Sequence, residues 1–153
     1  MRIRLKTSYA CKGVFVTDEI TYKTDLNGVD WATLKSTLAT DSFDNGRTPE
    51  QLRTSFENSH AAVVACHGDG IVGTARVLSD GVCNAYVVDV WTQSQFRERG
   101  IARKMIEVLE SDLEGQHVCL FTDDAERVFS ALDFASQSGG MSKVVGTWLR
   151  TNA

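Results

Sequence analysis

The run Val87-Val88-Asp89-Val90-Trp91-Thr92, followed by Arg97-Glu98-Arg99-Gly100-Ile101-Ala102-Arg103-Lys104, narrows the fold more than any other feature of this chain. An apolar, valine-rich strand passes through a short basic loop with one glycine into the amphipathic helix that contains Met105-Ile106-Glu107-Val108-Leu109. The first amides of a helix have no intrahelical acceptor, so a helix start beside several cations attracts a phosphorylated ligand. Neither common nucleotide fingerprint is present: the loop lacks both G-x-x-x-x-G-K-[ST] and G-x-G-x-x-G. The plainer alternative is a tight strand-to-helix turn with a solvated basic face, and context must separate the two.

The 153 residues suffice for one domain with a substantial core, and a single domain over residues 1–153 is expected. A net charge of −4 argues against a general nucleic-acid binder. No apolar run reaches membrane-spanning length, and the alternating start Met1-Arg2-Ile3-Arg4-Leu5-Lys6 is unlike a signal-peptide core. The four cysteines, Cys11, Cys66, Cys83 and Cys119, form no C-x-x-C pair and no zinc-type group with histidine. Each falls in or beside an expected strand, where a free thiol packs as a small hydrophobe. Adjacent strand residues point to opposite faces, which disfavours Cys66-His67 as nucleophile and base. A reduced, cytoplasmic setting without a metal fits best.

Residues 2–7 and 14–16 read as an extra N-terminal strand or hairpin, within residues 1–18. A strand is expected at 19–23, a helix at 30–38 and a second helix started by Thr48-Pro49-Glu50-Gln51, with Thr48 and Gln51 forming a capping box. Strands at 61–66 and 71–78 flank a hairpin turn at 67–70, and a third follows at 84–91. A helix over about 100–114, a strand at 118–122, a helix at 125–132 and a final strand around 143–149 complete the order. Antiparallel strands come first and a β-α-β crossover follows, which predicts a mixed sheet.

Three segments carry a family likeness in the same order. Arg97-Glu98-Arg99-Gly100-Ile101-Ala102 resembles the [QR]-x-x-G-x-[GA] signature of the GNAT superfamily, the acyl-CoA-dependent N-acyltransferases. Val72-Gly73-Thr74-Ala75-Arg76 looks like its V-G-x-x-R strand. Val118-Cys119-Leu120-Phe121-Thr122-Asp123 with Val128-Phe129-Ser130-Ala131-Leu132-Asp133-Phe134 looks like its closing strand and F-Y-x-x-L-G-F helix. The likeness spans roughly residues 19–150. It implies an α+β (mixed α/β) single domain, whose mixed, mostly antiparallel sheet is splayed at a bulge and flanked by helices. It also implies acetyl-CoA as co-substrate, with no metal. The pyrophosphate would sit on the amides of Arg97, Glu98, Arg99, Gly100, Ile101, Ala102 and Arg103, helped by nearby cations. The pantetheine arm would pair with the strand at Val90, Trp91 and Thr92, although Trp91 could equally be core.

The implied reaction is direct acetyl transfer to a primary amine, and an alkylammonium must lose a proton first. Asp89 and Tyr86 are the candidates for that role. Simple alternation puts them on opposite faces, so one of them is expected to face the acceptor. Asp89 inside an apolar strand needs a partner if buried, and a structural hydrogen-bond hub is its alternative role. Many family members carry a tyrosine proposed to protonate the leaving thiolate; Phe129 stands at that position here, as core or as a wall beside the thiol. Trp31, Phe43, Asp44, Arg47 and Met141 are candidate walls of the acceptor pocket, beside Tyr86. The acceptor is expected to be a small-molecule amine. Neither nucleic acid nor membrane is expected as a partner, and a homodimer is left open. The alternatives are a non-catalytic or regulatory acyl-CoA-binding module and a look-alike fold binding another phosphorylated ligand.

Overall fold

A computed structural model describes residues 19–149. Five strands form one sheet in sequential order: β1 (Ile20–Lys23), β2 (Ala61–His67), β3 (Gly70–Ser79), β4 (Asn84–Thr92) and β5 (His117–Cys119). The first three pairings are antiparallel and the last, β4 with β5, is parallel. Helices α1 (Trp31–Thr40) and α2 (Pro49–Glu57) join β1 to β2, α3 (Ile101–Glu110) crosses between β4 and β5, and α4 (Glu126–Ser130) follows β5. This is a mixed, mostly antiparallel α+β arrangement with helices on both faces of an open sheet.

Local sequence accounts for the helix starts. The Asp30 carboxylate accepts from the Thr33 amide at 2.9 Å and caps α1. Thr48 and Gln51 form a reciprocal capping box at α2, with Pro49 in its first turn. The two faces then bury separate cores. Leu34, Leu38, Leu52 and Phe56 of α1 and α2 pack on Ala62 and Trp91. Ile101, Met105, Ile106 and Leu109 of α3 pack on Val63, Ala65, Ala75, Val77, Ala85 and Val87. Each Val, Leu, Ile, Met or Phe among them contributes roughly 1.5–3 kcal/mol when fully buried.

Gly73 lets α3 ride low on β3. A Cβ there would stand 3.1 Å from Met105 Cε and 3.2 Å from both Ile101 Cγ2 and Ala65 Cβ. Beside it, β4 carries a bulge. Arg76 pairs with Val88 and Thr74 with Trp91, so Ala75 faces both Asp89 and Val90. Asp89 takes up the extra length at φ +53°, and its carbonyl accepts from Thr74 Oγ1 at 3.0 Å.

The far end of the chain departs from expectation. Residues 143–149 form no strand. Instead Trp148 donates its indole N–H to the Asn45 carbonyl at 3.1 Å, and Leu149 lies against Gly46. These contacts direct the segment toward the α1–α2 loop rather than along β5. β5 itself stops at Cys119, short of the expected 122, and it pairs only with Asn84–Tyr86, before β4 bulges. α3 ends at Glu110 rather than 114, and a turn closed by Gly115 at φ +81° follows. α4 is likewise shorter than expected. The expected N-terminal strand or hairpin lies outside the described residues.

Candidate active site

The ladder between β4 and β5 is short. β3 follows β4 to Thr92, whereas β5 leaves it after Tyr86. From Val87 onward the β5-facing edge of β4 has no strand partner among the described residues. Such an edge accepts an extended segment through main-chain hydrogen bonds. At its far end Thr92 Oγ1 is buried without a hydrogen-bond partner.

This edge leads to the glycine loop. Gln93 N–H donates to Val72 O at 2.8 Å, a 3-10 turn covers Ser94–Phe96, and the chain then twists through Glu98 at φ +62° and Gly100 at φ +76°. Gly100 caps α3 without any side-chain hydrogen bond. The first intrahelical bond is Lys104 N–H to Gly100 O at 3.0 Å, so the amides of Ile101, Ala102 and Arg103 have no helical acceptor. They form the positive end of a ten-residue helix.

The loop's side chains are less free than expected. Arg97 donates to Thr92 O at 3.1 Å, Arg103 donates to Ala131 O at 2.7 Å, and Lys104 faces Glu107 at 3.5 Å. The Arg99 guanidinium stacks over Phe96 at 5.1 Å. Arg97 and Arg103 brace the corner, and the amides of Ile101, Ala102 and Arg103 stand without a helical acceptor.

Asp41, at the C-terminal end of α1, is a site residue that sequence reasoning missed. It accepts from Trp91 Nε1 at 2.8 Å and from the Ser94 amide at 3.1 Å, and Arg97 stands 3.5 Å away. Burial raises its carboxyl pKa, but these hydrogen bonds and the Arg97 charge outweigh burial and hold it below the usual range. Asp41 thus ties α1 to the strand end that opens the loop. Trp91 is 2 % exposed, so its ring belongs to the core and only its backbone reaches the β4 edge.

The bulge changes where the candidate proton-handling groups point. Ala85 and Val87 face α3 before it, and Val90 faces α3 after it, while Trp91 faces α1 and α2. Asp89 therefore joins Tyr86 on the α1–α2 side, contrary to simple alternation. Its carboxylate is already engaged: Oδ1 accepts from Arg47 at 2.9 Å and Oδ2 from Arg76 at 2.5 Å. All three side chains are largely buried, at 8 %, 12 % and 13 % exposure for Arg47, Asp89 and Arg76. This is the hydrogen-bond hub named as the alternative role of Asp89. With one oxygen on Arg47 and the other on Arg76, the carboxylate cross-braces the bulge to the α1–α2 loop and to β3.

Tyr86 is half-buried with its ring edge-on to Phe121 at 5.8 Å. Burial first, then the nearby Cys119 and Asp89, push its phenol pKa above the usual 10, with Arg76 opposing. The phenol is neutral near pH 7.

The candidate acceptor walls divide. Arg47 belongs to the buried brace, with Nε donating to Asn45 Oδ1 at 3.0 Å. Asp44 is paired with Lys35 and accepts from the Gly46 amide, which makes it a turn-stabilising residue. Trp31 packs on Phe56 at 5.4 Å, filling the α1–α2 core rather than lining an opening. Phe43 is 39 % exposed beside that loop. Met141 is 94 % exposed and walls nothing among the described residues. Phe129 is buried on α4, edge-on to Phe134 at 5.9 Å, within the α3-side core. Among the described residues, no three His, Cys, Asp or Glu side chains converge as a metal site would require. No helix among them is long and apolar enough to cross a membrane.

Comparison with known proteins agrees with this geometry. A presumed acetyltransferase from Deinococcus radiodurans R1 matches with a TM-score of 0.72 at 25% identity, over 82% of this chain and 89% of that one. A GNAT-family acetyltransferase from Streptococcus pneumoniae TIGR4 matches with a TM-score of 0.69 at 21% identity, over 83% and 98%. Glucosamine-6-phosphate N-acetyltransferase from Arabidopsis thaliana matches with a TM-score of 0.64 at 18% identity, over 84% and 100%. Among curated proteins no sequence match reaches significance. The profile of the acetyltransferase (GNAT) family matches residues 30–137, well over half of the 153. With the mixed sheet, the bulged β4 and the glycine loop at the start of α3, that match makes the chain a member of the GNAT acetyltransferase family.

Proposed function

We propose that this protein transfers the acetyl group of acetyl-CoA to a primary amine of a small molecule by direct attack. One observation carries the reading: the free edge of β4 runs from the Asp89 bulge to a helix start at Gly100 that no side chain caps. An extended thioester arm ending in a pyrophosphate suits such a track. The backbone of Val90, Trp91 and Thr92 would hold the arm, and the amides from Arg97 to Arg103 would hold the phosphates. Gly100 supports this fit, since nothing stands within 4 Å of where its Cβ would be and backbone can approach the anion closely. When bound, acetyl-CoA supplies an activated carbonyl carbon; the amine nitrogen bonds to it as the carbon–sulfur bond breaks.

The chain's own residues handle protons and position. The ammonium must shed a proton, because its pKa is about 10. As a neutral phenol, Tyr86 both donates and accepts a hydrogen bond, the property of a proton relay. Asp89 acts through Arg47 and Arg76, locking the bulge to the α1–α2 loop. It is a positioning residue. Phe129 offers no proton, so the departing thiolate relies on Tyr86 or water. The test is coenzyme A release from acetyl-CoA by purified protein with a panel of primary amines. Turnover above the amine-free rate supports the reading.

The second reading, a non-catalytic acyl-CoA-binding module, is favoured by Phe129 and by the engaged Asp89 carboxylate. It predicts acetyl-CoA binding by calorimetry with no amine-dependent release.

A further inference from the structure

We propose that the acceptor amine carries an anionic group, foremost a carboxylate, which docks on the Arg47–Asp89–Arg76 cluster beside Tyr86; this rests on the acetyltransferase reading above. The cluster joins two guanidiniums to one carboxylate and so keeps one net positive charge. Asp44, which also feels the Arg47 charge, is paired with Lys35, and Asp41 faces Arg97. A largely buried charge is costly unless paired, and an arriving carboxylate would pair it.

The donor inventory agrees. Each guanidinium offers five N–H donors. Arg47 uses Nε on Asn45 and one Nη2 hydrogen on Asp89, which leaves Nη1 without a partner among the described residues. Arg76 uses Nε on Asp89 and Nη1 on Ser55 O and Ser59 Oγ, at 3.4 and 3.3 Å, which leaves Nη2, and its guanidinium lies over the Phe56 ring at 5.8 Å. The Arg47 and Arg76 side chains keep 8 % and 13 % of their exposure, so the cluster is largely but not wholly shielded from solvent. Arginine edges of this kind bind carboxylates with paired, charge-assisted hydrogen bonds. Arg76 sits across from Val88 in the β3–β4 ladder, and its charge reaches Tyr86. An amine held by its own carboxylate here would lie beside the phenol that serves as its proton relay.

Matched acceptors test this: β-alanine against propylamine, phenylalanine against phenethylamine, and phosphoethanolamine against ethanolamine. Coenzyme A release is followed at one pH and low salt. The expected result is a preference for the carboxylated member on the order of tenfold to a hundredfold in kcat/KM, the range for one charged hydrogen bond. Arg76→Gln should bring that ratio toward one, chiefly through KM. Should Arg76→Gln not fold, the same ratio in the unaltered protein should shrink with added salt. Equal or better turnover of the uncharged amines overturns the proposal. Preference for phosphoethanolamine alone also overturns the carboxylate assignment. If no amine releases coenzyme A, the activity reading fails, and calorimetry with N-acetyl-β-alanine and N-propylacetamide decides the anion site. Binding of the first alone supports it; binding of neither, or of both equally, overturns it.

Discussion

Replacing Asp89 with asparagine separates a brace from a base. Asparagine keeps the shape of the side chain and tolerates the left-handed backbone that Asp89 adopts at φ +53°, so the change is electrostatic. It leaves Arg47 and Arg76 facing each other without the carboxylate between them. Removing one partner of a fully buried ion pair costs about 3–5 kcal/mol. The three side chains here retain roughly a tenth of their exposure, so a loss of about 2–3 kcal/mol is the better figure. For a domain of this size each kcal/mol lowers Tm by about 2–4 °C, which predicts a fall of roughly 5–10 °C. The assay is a cooperative thermal melt followed by circular dichroism at neutral pH, run beside steady-state turnover. Loss of a general base would instead leave Tm nearly unchanged and lower kcat about 10²–10⁴-fold, with recovery as pH rises. A Tm within about 2 °C of the parent, with kcat down by that factor, would refute the brace argument.

Three further outcomes follow from the site. Gly100→Val puts a β-branched residue at φ +76°; it should raise the Kd for coenzyme A at least about tenfold by calorimetry while the protein still melts cooperatively, at a cost of about 1–3 kcal/mol. An unchanged Kd would remove the loop from the phosphate role. Tyr86→Phe should lower kcat by about 10²-fold with little change in coenzyme A affinity. Because the Tyr86 phenol titrates above 10, a falling rate well below that pH that vanishes in Tyr86→Phe would contradict the relay. Asp41 has a folded pKa below its usual 3.8, so its ionised form stabilises the fold above that value, and this stability is lost as pH falls through the folded value. The Tm gap between the parent and Asp41→Asn should therefore be widest near neutral pH and close under acid; a gap independent of pH would contradict the assignment.

What the sequence made legible was periodic or punctuated. The valine-rich strand, Gly100 before an amphipathic helix, and the Thr48–Gln51 capping box each carry a local signature, and each element lies where expected. What it hid depends on contacts distant in sequence. Asp41 looks like an ordinary helix-end acid until Trp91 and Ser94 reach it from β4 and the loop beyond. Arg47 reads as a candidate pocket wall, and only the folded chain brings it onto Asp89. The Lys143–Leu149 segment has strand composition, but Trp148 finds its partner on the α1–α2 loop. The bulge was expected from the resemblance, yet its effect on facing was not, since alternation counts residues and a bulge miscounts them by one.

That miscount gives β4 two phases. Up to Val88 the odd-numbered residues serve the α3 core, and from Val90 the even-numbered ones do. Point substitutions leave this frame intact, but deleting the single residue Val90 would erase the phase shift. The strand would then have to seat Asp89 in the apolar layer or turn Trp91 away from its core, or else slide against β3 and pull the glycine loop with it. β4 should accept many exchanges of side chain and hardly any change of length. A deletion scan across Tyr86–Thr92 would reveal that asymmetry as a sharp loss of folded protein centred on the bulge.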